Sequence, residues 1–426
     1  MKFTILTFGC KVNAYESTFM KEQLLINGYC YSDDYKESDI VIVNTCSVTN
    51  TADNKCKKMI RNIRRDNQNC LLMVCGCTAE NKREELNDLD IDILIGNHDK
   101  GQVVKLINDF IRNKKKYVKF YDDRNIPFEE MKVDSFTELT RAYVKIQDGC
   151  NNFCAYCIIP YLRGNIRSKK IDDVILEVNN LVLKGHKEIV LTGINTGAYG
   201  RETGLYDLTD LIRKLSLIEG LERIRVSSIE ITEINDKFIN ELRVNSKLCG
   251  HLHVSLQSGS EKVLKLMNRK YTKEEYLEKI KKIKEARPDI NLTTDVIVGF
   301  PGETEDDFLE CINFCLEVGF SKIHVFPYSK REGTKAATMP LQIPNNIKKE
   351  RARRLIAIDE DLQLEFNKRF VGQVVKVLIE ENKDGMAIGH TENFLKVIIK
   401  ENLKENTFYD VVIESALIDK VFGNLR

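Results

Sequence analysis

The spacing of apolar and polar positions changes character along the chain, and each regime predicts different elements. Lys2–Phe8 is a β-branched and aromatic run that reads as a strand. From about Ser17 to Ile26, Phe19, Leu24 and Leu25 recur at helical spacing, and Gly28 ends the pattern. Asp39–Val43 and Leu71–Val74 are near-continuous apolar runs, as expected of buried parallel strands. This alternation predicts a small α/β domain over residues 1–120. Residues 121–140 are charged and weakly periodic, and read as a linker. Strands then return at Tyr143–Ile146, Glu188–Leu191, Arg223–Val226, His251–Leu256, Asn291–Val298 and Lys322–Phe326. Amphipathic helices lie between them, among them Asp172–Leu183, Lys273–Ala286 and Glu305–Val318. Regular βα repetition predicts a full or partial (β/α) barrel over 140–368, with chemistry at the strand C-termini. After a charged helix at 346–370, the strands Val374–Ile379, Lys396–Ile399 and Phe408–Ile413, with turns at 383–385 and Gly389, predict a small β-barrel over 371–426.

Composition narrows this picture. The chain has 426 residues, 42% of them hydrophobic and 30% charged, the balance of a globular protein with more than one core. Its start, MKFTILTFGC, does not read as a signal peptide, and no run approaches the roughly 18 uncharged apolar residues of a membrane helix. A cytoplasmic protein with no membrane association is expected. Thirteen cysteines in a reducing compartment point to metal or redox chemistry rather than disulfides.

The sharpest signal is Cys150-Asn-Asn-Phe-Cys154-Ala-Tyr-Cys157, just after the first strand of the central domain. A Cys-x3-Cys-x2-Cys loop can wrap three thiolates around one corner of a [4Fe–4S] cube. The fourth iron is then left open to a chelating amino and carboxylate group, such as that of S-adenosylmethionine (SAM). The alternative, a structural zinc site, needs a fourth ligand, and His186 and Cys249 are far away in sequence.

A second set is dispersed: Cys10, Cys46 and Cys77 each follow a predicted strand. In a parallel sheet those ends share one edge, so the three can converge on a metal site, although small buried cysteines explain them equally well. Cys77 is preferred over Cys75 because it follows Gly76, where the strand has ended. Cys30, Cys56, Cys70, Cys249, Cys311 and Cys315 read as packing residues.

With these residues assembled, the chain resembles the radical-SAM methylthiotransferases over nearly its whole length. The likeness is carried by the three-cysteine N-terminal domain and by Gly149–Tyr161, Arg163-Gly164 and Arg167-Ser168. It continues through Leu191–Asn195, Arg225–Glu230, His253–Gly259, Met267-Asn-Arg269, Gly299–Glu303 and Phe326–Ser329, and a terminus like a TRAM domain completes it. Within the family, Gly9-Cys10-Lys11-Val12-Asn13 with Glu16-Ser17 is similar to the branch acting on N6-threonylcarbamoyladenosine in tRNA. The isopentenyladenosine branch, and the branch modifying a ribosomal-protein aspartate, usually carry another pair between that cysteine and asparagine.

The resemblance implies two [4Fe–4S] clusters. One, on Cys150, Cys154 and Cys157, would cleave SAM to a 5′-deoxyadenosyl radical that abstracts hydrogen from C2 of adenine. The other, on Cys10, Cys46 and Cys77, would carry or donate the sulfur that another SAM methylates. An unactivated aromatic C–H offers no acidic proton to a general base, so a radical in a water-excluding site suits the reaction. The implied partners are a tRNA anticodon stem-loop and an electron donor such as flavodoxin or ferredoxin.

Gly193 and Asn195 resemble the motif that receives the SAM amino group. Ser227, Ser228 and Glu230, and then Gln257 and Ser258, end later strands and are candidates for the ribose or methionine groups. Tyr156 is a candidate for packing on the adenine. Arg163 and Arg167 read either as partners of a phosphate or SAM carboxylate or as solvated surface residues. His251 and His253 share one strand face and read as packing or locally bonded. For RNA, Lys55, Lys57, Lys58, Arg61, Arg64 and Arg65 predict a basic helix face, and Lys348–Arg354 is another candidate. Residues 371–426 hold seven Lys and Arg against nine Asp and Glu, so that barrel needs a local basic face or shape readout to bind RNA.

Overall fold

The computed structural model describes residues 1–47, 49–134, 136 and 140–426. Val48 of the Cys46 motif and part of the predicted linker therefore lie outside the described residues.

The N-terminal unit is a parallel sheet of six strands in the order Cys30–Tyr31, Lys2–Thr7, Ile40–Thr45, Leu71–Gly76, Ile93–Ile95, Tyr117–Lys119. Ile40–Thr45 and Leu71–Gly76 are buried along their whole length because helices cover both faces. The helix after the first strand starts earlier than predicted, at Lys11, and ends at Ile26. Its first two turns are buried against the sheet and so lack the amphipathic signal of the later ones.

Seven further strands form the two parallel sheets of the central unit. Arg141–Lys145, Glu188–Thr192 and Arg223–Val226 pair in parallel, as do Ser228–Ile229, His251–Val254, Asn291–Val298 and Lys322–Pro327. The sheet changes partner at Ser227. The Ser227 N–H bonds the Leu191 carbonyl at 3.0 Å, whereas Ser228 is already in register with His253. The result is a partial barrel, open between its first and last strands. Helices Lys273–Ala286 and Glu305–Val318 begin with capping boxes, Thr272/Glu275 and Thr304/Asp307, which explains why sequence located both helices to the residue.

The helix Asn345–Lys368 leads into a closed five-stranded barrel of Val374–Lys383, Met386–Thr391, Lys396–Ile399, Phe408–Ala416 and Val421–Leu425. Gly389, predicted as a turn, lies inside the second of these strands, paired with Ile379 and Val397. The barrel docks where the central strands begin. Arg223 donates to the carbonyls of His390 and Lys376 at 3.0 and 2.9 Å, and Arg225 to that of Glu392 at 3.0 Å.

The predicted linker is not a free tether. Met131, Val133 and Phe136 are buried, the Tyr15 hydroxyl donates to the Met131 carbonyl at 2.7 Å, and Val133 N–H bonds Glu177 at 2.9 Å. The segment straps the first two units together. Among the described residues, no helix is long and apolar enough to cross a membrane.

Candidate active site

Cys10, Cys46 and Cys77 leave the C-terminal ends of Lys2–Thr7, Ile40–Thr45 and Leu71–Gly76, three neighbours in the sheet. Parallel strands about 4.8 Å apart therefore bring three thiols to one edge. Gly9 permits the approach: its φ is +101°, and a Cβ there would collide with the side chain of Cys46. Cys75 points elsewhere. It is fully buried beside Asn44, and burial pushes its thiol up to about 12. Of the cysteines read as packing residues, all but Cys30 are buried; Cys30 is exposed on the edge strand.

Cys150, Cys154 and Cys157 occupy an irregular loop between Gln147–Asp148 and the helix Ile159–Arg163. The Asn152 N–H points at Cys150 Sγ at 3.5 Å, and Arg269 Nη1 reaches Cys154 Sγ at 3.2 Å. Burial pushes the thiols of Cys150 and Cys157 up to about 11 and about 12, so the charge of a bound metal is needed to make thiolates of them. Three cysteines on one loop, two of them receiving N–H donors, fit an iron–sulfur cube. Among the described residues, no three His, Cys, Asp or Glu side chains gather closely enough for a single metal ion.

One buried network joins the two cysteine sets. Arg163, 1% exposed, places Nε 3.4 Å from Cys77 Sγ, Nη2 2.8 Å from Asn13 Oδ1, and Nη1 3.2 Å from both Glu16 and Asp148. Lys145 bridges Glu16 at 2.7 Å and Asp148 at 2.8 Å, while Lys100 completes the pair with Glu16. Burial opposes ionisation of Glu16, but Lys100, Lys145 and Arg163 outweigh it and hold its carboxyl well below the usual range. Burial likewise opposes ionisation of Asp148, and Arg167, Lys145 and Arg163 overcome it. Arg163 and Arg167 are therefore buried in ion pairs rather than solvated, as Arg167 bonds the Arg163 carbonyl and Asp148. Ile158 and Leu162 pack on Cys77, so the residue after Cys157 touches the other cysteine set.

The SAM candidates divide. The Gln147 side chain accepts the Asn195 N–H at 2.7 Å and donates to the carbonyls of Asp148 and Gly149. It thus fastens the Gly193–Asn195 turn to the start of the cysteine loop. A Cβ on Gly193 would lie 2.9 Å from Gln147 Oε1, so the turn needs glycine. The amide oxygen and nitrogen of Asn195 are buried with no partner, an arrangement that fits a polar ligand such as SAM. Ser227 bonds Thr196 at 2.8 Å, Ser228 bonds Ser255 at 3.2 Å, and both line the barrel cavity. Glu230 is paired with Arg269, the residue that reaches Cys154. Tyr156 packs beside Ala155 and Met267 with its hydroxyl 3.4 Å from Arg269. Gln257, with φ at +69°, lines a smaller cavity, whereas Ser258 lines neither cavity and accepts the N–H of Ser260 at 3.2 Å.

The two cavities adjoin. One, of about 210 Å³, touches Ser47, Cys157, Gln257 and Arg331. The other, of about 830 Å³, fills the barrel interior and reaches Cys10, Gly193, Ser227 and Ser228. Asp295 and Phe326 belong to both. His251, His253 and His324 face the larger cavity, with His253 bonded to Thr293 at 2.9 Å and paired with Asp295 at 3.3 Å.

The fold resembles solved radical-SAM proteins at low identity. The methyltransferase TsrM from Kitasatospora setae, with tryptophan and a SAM analogue bound, aligns with a TM-score of 0.57 at 14% identity, covering 79% of this chain and 74% of that one. Residues 144–315 match the Radical SAM superfamily, and residues 2–96 the family described as "Uncharacterized protein family UPF0004". The threonylcarbamoyladenosine tRNA methylthiotransferase MtaB of Bacillus subtilis is 42% identical, over 92% of this chain and 89% of its own length. The chain belongs to the radical-SAM tRNA methylthiotransferases. The MtaB of Thermotoga maritima is 39% identical over 92% and 90%, and the tRNA-2-methylthio-N(6)-dimethylallyladenosine synthase of Pelotomaculum thermopropionicum 37% over 90% and 87%. Membership of this family brings SAM and a [4Fe–4S] cluster.

For the methylthiotransferase, sequence reasoning missed Gln147, Asp148 and Arg331. Arg331 bonds Ser47 at 2.8 Å and Asp53 at 3.2 Å beside the smaller cavity. Arg269 was signalled by its place in Met267-Asn-Arg269, without a role. The basic faces shrink. On the helix Asn50–Asp66, Lys57 pairs with Glu85, Arg64 with Asp90 and Asp92, and Arg65 with Asp66; Lys55, Lys58 and Arg61 remain exposed. In the Lys348–Arg354 run, Lys348 is buried on the Tyr328 carbonyl and Arg351 on Glu303. Helix periodicity places residues on a face but cannot see which acids pack against it.

Proposed function

We propose that this methylthiotransferase converts N6-threonylcarbamoyladenosine next to the anticodon of tRNA into its 2-methylthio derivative, with one [4Fe–4S] cluster on Cys150, Cys154 and Cys157 and another on Cys10, Cys46 and Cys77. The observation that carries it is the pair of adjoining cavities, one opening on Cys157 and the other on Cys10. The chemistry supplied by the bound groups is reductive cleavage of SAM and delivery of a methylated sulfur to C2 of the adenine. In this reading residues 1–120 carry the sulfur-bearing cluster, 140–368 bind SAM, and 371–426 bind the anticodon stem-loop. Cytoplasmic tRNA and a flavodoxin or ferredoxin are the partners.

The protein's own residues position these groups. Gln147 fixes Gly193–Asn195 against the cysteine loop, leaving the Asn195 amide for the SAM amino and carboxylate end. Arg269 directs its Nη1 at Cys154 while Glu230 grips both terminal nitrogens of the same guanidinium, so in this reading Glu230 positions Arg269. Arg163 does the same for Cys77.

The choice of the threonylcarbamoyl branch is supported by Gly9–Asn13 and by the 42% identity with the Bacillus subtilis enzyme. Isopentenyl-type relatives reach 40%, which keeps that substrate as the second reading. Nucleoside analysis of tRNA from a deletion strain tests the choice. Accumulated threonylcarbamoyladenosine lacking the methylthio group is expected. Loss of methylthio-isopentenyladenosine favours the second reading, and unchanged tRNA overturns both.

A further inference from the structure

The larger cavity is not closed by an apolar layer. Where the barrel strands begin, its wall carries Arg141 and Arg225, and Lys11 joins them from the N-terminal unit. The two guanidiniums lie 4.8 and 4.7 Å from the ring centre of Phe394, which the C-terminal barrel contributes. Each is anchored by a carboxylate, Arg141 by Glu380 at 3.1 Å and Arg225 by Glu188 at 2.8 Å. Lys11 differs. Among the described residues, no carboxylate lies within ion-pair distance of its ammonium, although Cys10 beside it lines the same cavity. Lys11, with no carboxylate partner among the described residues and with two other cations in the same wall, makes this end of a cavity of about 830 Å³ favourable to an anion. The lining carboxylate, Asp295, is held by His253, and the space is large enough for a nucleoside.

We propose that Lys11, backed by Arg141 and Arg225, receives the carboxylate of the substituent on N6 of the substrate adenosine. It would thereby select an acidic substituent over a hydrocarbon one. This rests on the threonylcarbamoyl reading above and deepens it. A threonylcarbamoyl group ends in a free carboxylate, which can accept from the lysine ammonium. An isopentenyl group in the same place would strip water from Lys11 and return nothing, so the site rejects it as well as preferring its rival. A backbone phosphate presents the same anionic oxygens. Lys11, however, stands beside Cys10 inside the cavity, where the modified base must enter, while phosphates follow the strand outside.

The test uses reconstituted full-length protein and three anticodon stem-loops of one sequence, carrying threonylcarbamoyladenosine, isopentenyladenosine or plain adenosine. The wild type is expected to bind the first about tenfold more tightly than the others, the worth of one charge-assisted contact. Lys11→Gln is expected to abolish that preference and leave the plain RNA unchanged, and Lys11→Arg to restore part of it. Iron and sulfide analysis checks the neighbouring cysteines. Should Lys11→Gln lose iron, Arg141→Gln, which lies outside both cysteine motifs, is expected to weaken binding of the threonylcarbamoyl RNA selectively. An equal loss on all three RNAs assigns the cation to a phosphate and overturns the proposal. A preference that survives both variants overturns it while leaving the substrate reading intact. A wild type with no preference overturns both.

Discussion

Arg163 Nε lies 3.4 Å from Cys77 Sγ, linking a helix that follows one cysteine set to a thiol of the other. The same guanidinium is shared by Asn13, Glu16 and Asp148, so one side chain fixes both the spacing and the local charge of the two sites.

Removing Arg163 leaves Glu16 and Asp148 buried with one fewer counter-charge. Arg163→Ala is expected to destabilise the fold by about 3–5 kcal/mol, the cost of breaking a buried ion network. Chemical denaturation measures this, and iron content is expected to fall with it.

Two cube-shaped clusters mean about eight irons per chain, and loss of one leaves about four. Cys154→Ala and Cys46→Ala are each expected to retain about four, but only Cys154→Ala should abolish SAM cleavage. An unaltered iron content in Cys46→Ala would remove the dispersed cysteines from the metal chemistry.

Asn195 combines burial with an unsatisfied amide, which is unfavourable until a ligand supplies partners. Asn195→Ala is therefore expected to weaken SAM binding about tenfold by equilibrium dialysis. The unliganded protein should unfold at the same denaturant concentration or higher.

Arg269 donates to Cys154 Sγ, and such donors raise a cluster's reduction potential. Arg269→Met is expected to shift the potential of the SAM-binding cluster to more negative values in an EPR-monitored titration. The other cluster should be unmoved.

Burial pushes the Glu129 carboxyl up to about 7, with the Gly101 N–H only partly opposing it. A raised folded pKa means its contribution is complete below the unfolded value and is lost as pH rises through about 7. Between about pH 5 and 7 this carboxyl should therefore cost up to about 1.4 kcal/mol of stability per pH unit. Glu129→Gln is expected to flatten that slope in denaturation curves taken across the range.

The sequence by itself determined the principal strands and helices and the spacing of the thiols. Capping boxes and β-branched runs are local signals, so Lys273–Ala286, Glu305–Val318 and Asn291–Val298 were legible to the residue. The Cys150–Cys157 spacing was equally local. What tertiary structure alone decided is how charge is compensated. The same periodicity that placed Lys57 and Arg64 on a basic face gives no sign of Glu85, Asp90 and Asp92. Nor does it reveal that Arg163, read as a surface or ligand-binding residue, is buried against Glu16, 147 positions earlier in the chain. Hydrophobic burial follows the pattern of each segment, whereas the state of a charge depends on whichever partner folding brings within a few ångströms. That is also why Lys11 remained one letter of a motif until the cavity around it showed, among the described residues, a cation with no carboxylate partner.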